Sequence, residues 1–321
     1  YLIFFGLIFF SFFNFIFTER LKSIIVYSSL ISLFFIVRSY SIYIDDKSNF
    51  LINLVLGACL TGLLIIILGL NTPFTLFRYV GFYTNSNSMG MFAASLLHLI
   101  IGIIYSYKIS FFKKIFFYSL FLISVLLILS SNSRAAILSV FIVIMFIPVI
   151  EILNGLKFKQ FKIKVKFMKR FFLTLITIGL FFFIIYYLGL LDNTFEKFIL
   201  KTPAQDISAG RLEGWIIMLK NWTWFGHENI NNIIEKKIIF GHNTWLTHLN
   251  FYGLLPTLFF LSWIVWMLNW AWKKITVNSN TKMERVFFFT LLGYVVNATF
   301  ETATSTPGLL ISIVIFAIIY K

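Results

Sequence analysis

The residues able to do chemistry are few, and they fall at the edges of apolar stretches. His242 stands in the run Phe240-Gly241-His242-Asn243-Thr244-Trp245-Leu246. Imidazole ordinarily titrates close to neutral pH, so a neutral ring can take a proton from an incoming hydroxyl. Arg134 opens one apolar stretch, Arg78 precedes another, and Arg211 lies in a long polar connection. A guanidinium stays charged and grips phosphate oxygens in pairs, which an ammonium does less well. Three runs of capping residues precede apolar stretches: Asn85-Ser86-Asn87-Ser88, Ser131-Asn132-Ser133 and Asn243-Thr244. The start of a helix offers unpaired N–H groups and about half a positive charge, so several starts at one face would attract an anion. A base beside such an anion clamp suits inverting glycosyl transfer. There an oxocarbenium-like centre is attacked from the face opposite a departing diphosphate, which needs little help from an acid.

What the sequence lacks narrows the choice. It has no Walker loop, no Rossmann glycine fingerprint, no HExxH, no CxxC pair and no nucleophile elbow. The Asp-x-Asp of metal-dependent glycosyltransferases is also missing, since Asp45 and Asp46 are adjacent. The expectation is therefore no metal and no cofactor, with arginines and helix starts in the metal's place. Plainer roles stand beside these. Arg134 can be an interfacial anchor, Arg78 a structural residue, and Arg211 a partner of Glu213 or Asp206. His242 can simply begin a helix. His98, near the middle of its stretch, fits a neutral ring bonded to Ser95 or to a neighbouring helix. His248, six residues beyond His242, faces elsewhere. Trp222, Trp224, Trp263, Trp266, Trp270 and Trp272 read first as membrane-interface residues.

The elements that must position these residues are membrane helices. The chain is 60% hydrophobic and 12% charged over 321 residues, with a mean hydropathy of +0.91, which excludes a water-soluble enzyme. About ten helices of roughly 20 residues would use about 200 residues, close to the apolar share. The net charge of +15 would signal nucleic acid in a soluble chain; here its distribution argues against that partner. Lys108, Lys113 and Lys114, then the run from Lys157 to Arg170, then Lys273, Lys274, Lys282 and Arg285 fill three short loops whose only acid is Glu284. Loops of that kind face the cytoplasm. Cys59 is the single cysteine, so no intrachain disulfide forms.

Apolar spans are expected at about 1–17, 23–37, 50–70, 86–107, 115–131, 134–153, 171–191, 244–272, 286–300 and 305–320. They place 71–85, 132–133, 192–243 and 301–304 on the outer face. Residues 18–22, with Arg20 and Lys22, also fall outside and break the charge rule. The connection 192–243 carries six of the twelve acids and six bases, and loops of such length are usually functional. It is expected to fold over a single bundle formed by the whole chain, 1–321. Within it Asp206 or Ser208 can cap a short helix from Arg211 to Lys220, with Leu212, Ile216 and Leu219 on one apolar stripe, lying against the membrane surface. Arg211 and Trp215, four apart, share a neighbouring face.

In order and spacing these segments resemble the O-antigen ligase and O-antigen polymerase family of bacterial polysaccharide assembly. The resemblance rests on Arg78-Tyr-Val-Gly81, Asn85-Ser-Asn87 and Gly90; on Ser133-Arg134-Ala135-Ala136; and on Arg211-Leu-Glu-Gly-Trp215 followed by Gly241-His242-Asn243-Thr-Trp-Leu246 and Gly253. It implies an all-α, polytopic integral membrane protein of about ten transmembrane helices with one large extracytoplasmic loop, similar to the GT-C architecture. It implies a multi-pass enzyme of the bacterial inner (plasma) membrane whose active site faces the periplasm or exterior. Such an enzyme moves a glycan from an undecaprenyl-pyrophosphate-linked donor to a glycan acceptor, without metal or nucleotide. In those terms His242 is the base, Arg134 and Arg211 bind pyrophosphate, and Arg78, Asn243 and Trp215 belong to the substrate site. Glu213 and Glu228 are candidates to orient the imidazole. The acceptor is a second lipid-linked glycan for a polymerase of O-antigen or capsule, which is favoured, and lipid A core for a ligase; a polymerase would work beside a chain-length regulator. From another class, a transporter or flippase for lipid-linked oligosaccharide would place charges at mid-membrane and pair broken helices in corresponding halves. Apart from His98 the spans hold few such groups, and no correspondence between halves is visible.

Overall fold

The computed structural model describes residues 6–10, 12, 21–69, 79–83, 85–157, 179, 211–227, 242–277, 281–301 and 307–320. These residues are helical throughout apart from short connections: α1 (Leu21–Ser41), α2 (Lys47–Gly69), α3 (Ser86–Ser106), α4 (Phe111–Ser131), α5 (Arg134–Lys157), α6 (Arg211–Lys220), α7 (Thr244–Tyr252), α8 (Leu254–Val277), α9 (Lys282–Phe300) and α10 (Pro307–Ile319). Five of them, α2, α3, α4, α5 over Arg134–Leu153, and α8, are long and apolar enough to cross a membrane. Shorter apolar stretches occupy Ile25–Ser41 and Gly308–Ile319. Of the expected span 1–17 only residues 6–10 and 12 are described, and of 171–191 only residue 179.

Helix α3 is the axis of the bundle and is buried along nearly its whole length. Its small residues explain how neighbours come so close, because backbones approach where side chains are short. A Cβ built on Gly90 would lie 2.5 Å from Ser131 Oγ and Ser133 Cβ, and one on Gly102 would lie 3.0 Å from the Val286 backbone. Contacts then tie α3 and α9 at three levels, joined by α5 at two of them. At one end Asn87 on α3 meets Glu301 at the end of α9. In the middle, Ser139 of α5 lies 3.3 Å from His98 Nε2 on α3, and the ring fills the space a side chain on Gly293 of α9 would need, 2.1 Å from such a Cβ. At the other end Tyr105 on α3 donates to Glu151 on α5, with Arg285 of α9 at 3.7 Å from that carboxylate. Apolar faces are poor at fixing helix register in lipid, so polar contacts of this kind specify which helices meet and where.

The two ends of the bundle differ in charge. Lys282 sits over the Tyr107 ring, Lys47 reaches the carbonyl of Ile318, and Arg285 faces Tyr105, so basic residues collect at one end. The connections 79–85, 132–133, 242–243 and 301 gather at the other: Tyr79 N–H donates to Ser130, Gly90 abuts Ser131 and Ser133, and His242 reaches Glu301. They belong to the four connections, 71–85, 132–133, 192–243 and 301–304, that the parity of the spans, anchored on the basic loops, assigns to one face.

The expected span 244–272 is not one rod. His248 and Phe260, twelve residues apart, would be separated by about 18 Å along a straight helix, yet their rings stack at 4.7 Å and 7°. The chain breaks at Gly253, whose φ of 91° is closed to most side chains. Trp224 O lies only 2.3 Å from where a Cβ would stand. Pro256 follows in the first turn of α8, where a missing N–H costs nothing. Helix α7 is thus a separate nine-residue piece that turns against α8.

Candidate functional site

His242 is placed by its backbone before its side chain does anything. It adopts φ 39°, left-handed and uncommon outside glycine, a conformation that tends to persist where a site requires it. Asn243 then caps α7, its side chain accepting from Leu246 N–H at 3.0 Å and donating to Thr299 O at 2.8 Å. Trp245 Nε1 donates to Thr299 Oγ1 at 3.1 Å, and Thr244 Oγ1 donates to the Glu301 carbonyl at 2.8 Å. Four consecutive residues of the Gly-His-Asn-Thr-Trp run are therefore fastened to the last turn of α9.

The consequence is a carboxylate–imidazole pair. His242 Nδ1 lies 2.9 Å from Glu301 Oε2, with the glutamate side chain 5% exposed and the histidine 35%. Asn87 Nδ2 donates to the other oxygen, Oε1, at 2.9 Å. A carboxylate accepts only, so Nδ1 carries the proton, and in the neutral ring the lone pair falls on Nε2. That is the arrangement in which an acid side chain fixes the tautomer and orientation of a base and stabilises the cation formed when the base takes a proton. Glu301 was not among the expected site residues; it stands against the imidazole, where Glu213 and Glu228 were the expected candidates. Glu228 and the Glu213 side chain lie outside the described residues. One sequence signal was available: Glu301 is a lone acid between two apolar stretches in a connection assigned to the same face as His242.

The other expected residues divide. Arg134 is the first residue of α5 and half-buried, at the same end of the bundle. Arg78, Asp206, Ser208 and the side chain of Arg211 lie outside the described residues. Trp215 is half-buried on α6, and α6 is joined to α7 where Asn250 Nδ2 donates to Met218 O at 3.0 Å. The three helix starts do carry caps, but their own side chains use part of the donors: Asn85 accepts from Asn87 N–H, and Ser133 Oγ accepts from Ala136 N–H. An anion there would rely on the remaining amides and on arginine. Asn132, between α4 and α5 at φ 56°, is buried with both amide atoms unpaired.

The two other histidines of the bundle are accounted for by packing. His98 is bonded to a neighbouring helix rather than to Ser95, whose hydroxyl turns back to Met91 O. His248 meets Tyr27 OH at 2.8 Å and stacks on Phe260. Among the described residues no three His, Cys, Asp or Glu side chains converge. Compared with known protein families and with curated proteins, the chain matches no family model and no curated relative.

Proposed function

We propose that this chain is a membrane glycosyltransferase of the O-antigen polymerase and ligase type, acting on an undecaprenyl-pyrophosphate-linked glycan at the outer face of the plasma membrane, and that it is a polymerase of O-antigen or capsular polysaccharide. The observation that carries the proposal is the His242–Glu301 pair at the end of the bundle opposite the basic residues. Nε2 of the neutral ring takes the proton of the acceptor hydroxyl as that oxygen bonds the anomeric carbon. The bond from that carbon to the diphosphate oxygen breaks, and its electron pair leaves with the diphosphate. The imidazolium formed is held by Glu301, itself held by Asn87. Arg134 and the start of α5, with Arg211 from the loop, grip the departing diphosphate, and Arg78, Asn243 and Trp215 complete the substrate site.

The test is the glycan profile of cells that depend on this protein. His242→Ala is expected to abolish chain extension while membrane insertion is intact; an unchanged ladder on a gel would remove the base from the account. Arg134→Lys and Arg211→Lys keep the charge but lose the paired hydrogen bonds, and each is expected to shorten or erase the ladder. Near-normal ladders in both would make them ordinary surface charges.

A further inference from the structure

Helix α6 has one face in use and one that is not. Gly214 and Met218 are buried towards α7, whereas Ile216, Leu219, Trp222 and Trp224 keep 40–55% of their surface exposed. The segment is rigidly referenced to the break between α7 and α8: Leu254 N–H donates to Thr223 O and His227 N–H to Asn250 O, each at 2.9 Å. Helix α8 begins at that break and runs for 24 residues, about 36 Å, which exceeds the roughly 30 Å hydrocarbon core. Leu254 therefore lies at the edge of the core, and so does the segment bonded to it. Helix α8 also exposes Leu258 and Val265, so the apolar surface of the span continues up to the level of α6. An apolar helix face followed by paired tryptophans, with Lys220 exposed beside it, has the composition of a segment lying in the headgroup boundary.

We infer that the face of α6 formed by Ile216 and Leu219, together with Trp222 and Trp224 in the turn that follows it, is seated in the headgroup–acyl boundary of the bilayer that surrounds the bundle. The consequence reaches the site, because Asn250 ties α6 to the far end of the same short helix whose first turn follows His242. The inference requires only that the bundle spans a membrane, not that it transfers sugar.

The test uses the full chain with Cys59→Ala and a single cysteine introduced by Leu219→Cys, labelled with an environment-sensitive fluorophore and reconstituted in phosphatidylethanolamine–phosphatidylglycerol vesicles. A second protein, with Tyr43→Cys in the exposed connection between α1 and α2, is the aqueous control. Loss of most of the Leu219 signal to lipids carrying a nitroxide near the headgroup, with protection from aqueous iodide, is the expected result; the Tyr43 probe should show the reverse. Iodide quenching at Leu219 without an effect of the nitroxide lipid would overturn the inference. Protection that vanishes as protein is diluted in lipid would assign the face to a second copy, and protection appearing only with added polyprenyl phosphate would assign it to an isoprenoid tail; either would overturn it too. Leu219→Ser, read by native gel and protease resistance, confirms that this position tolerates change. Failure here leaves glycosyl transfer untouched.

Discussion

The proposed base is a histidine 59 positions from the carboxylate it meets, and the way it is held sets the expected effects of substitution. Asparagine tolerates the left-handed backbone that His242 adopts but cannot act as a base at neutral pH. His242→Asn should therefore leave folding intact and lower transfer by about 10²- to 10⁴-fold, checked by initial rates at matched expression; a rate within twofold of wild type would contradict the role. Glu301→Gln offers Nδ1 an amide that can donate instead of a pure acceptor, favouring the wrong tautomer. Its loss should approach that of His242→Asn, with little further loss when the two are combined, since both remove one function. Independent, multiplicative losses would mean that Glu301 acts elsewhere. The imidazole was legible in the sequence because Gly-His-Asn before an apolar stretch is a recognisable local pattern. Its carboxylate was not, because nothing in local spacing indicates that the end of α9 folds back beside the start of α7.

Among elements, two of the positions where a side chain would collide, Gly253 and Gly293, are the sharpest tests of the packing. At Gly253 a methyl group would meet Trp224 O at 2.3 Å and the Phe225 Cα at 2.5 Å, and φ is 91°. Gly253→Ala should cost on the order of 1–3 kcal/mol and open the corner between α7 and α8, seen as a lower unfolding temperature in detergent and faster proteolysis near Trp224. Gly293→Ala places its methyl against the His98 ring, so it should lower the unfolding temperature, and His98→Ala in the same chain should restore part of the loss. Additive effects would contradict direct contact. Most helices could be read from apolar length alone, and their caps from Asn85, Ser133 and Asn243. The break at Gly253 could not: 244–272 is continuous in hydropathy, and only the packing of Trp224 and Phe260 shows that the chain must turn there. The Arg211–Lys220 helix was legible, as was its stripe of Leu212, Ile216 and Leu219, which the structure leaves exposed while burying Gly214 and Met218.

At the largest scale, the described residues form a helical bundle with five helices long and apolar enough to cross a membrane and two chemically different ends. Composition and the clustering of lysines made the bundle and its polarity readable, since both depend on sums over many residues. The convergence of α3, α5, α7 and α9 on one polar end depends on pairings such as Asn87 with Glu301, which sums do not encode. If that end is a transfer site, its activity belongs to the protein and the lipid-linked substrate alone. The decisive measurement is therefore elongation of a purified lipid-linked glycan by this protein reconstituted in vesicles, without an ion gradient, comparing wild type with His242→Asn. Elongation by the wild type with the mutant reduced at least 10²-fold is the expected result. No elongation by well-folded wild type, or equal elongation by both, would contradict the account.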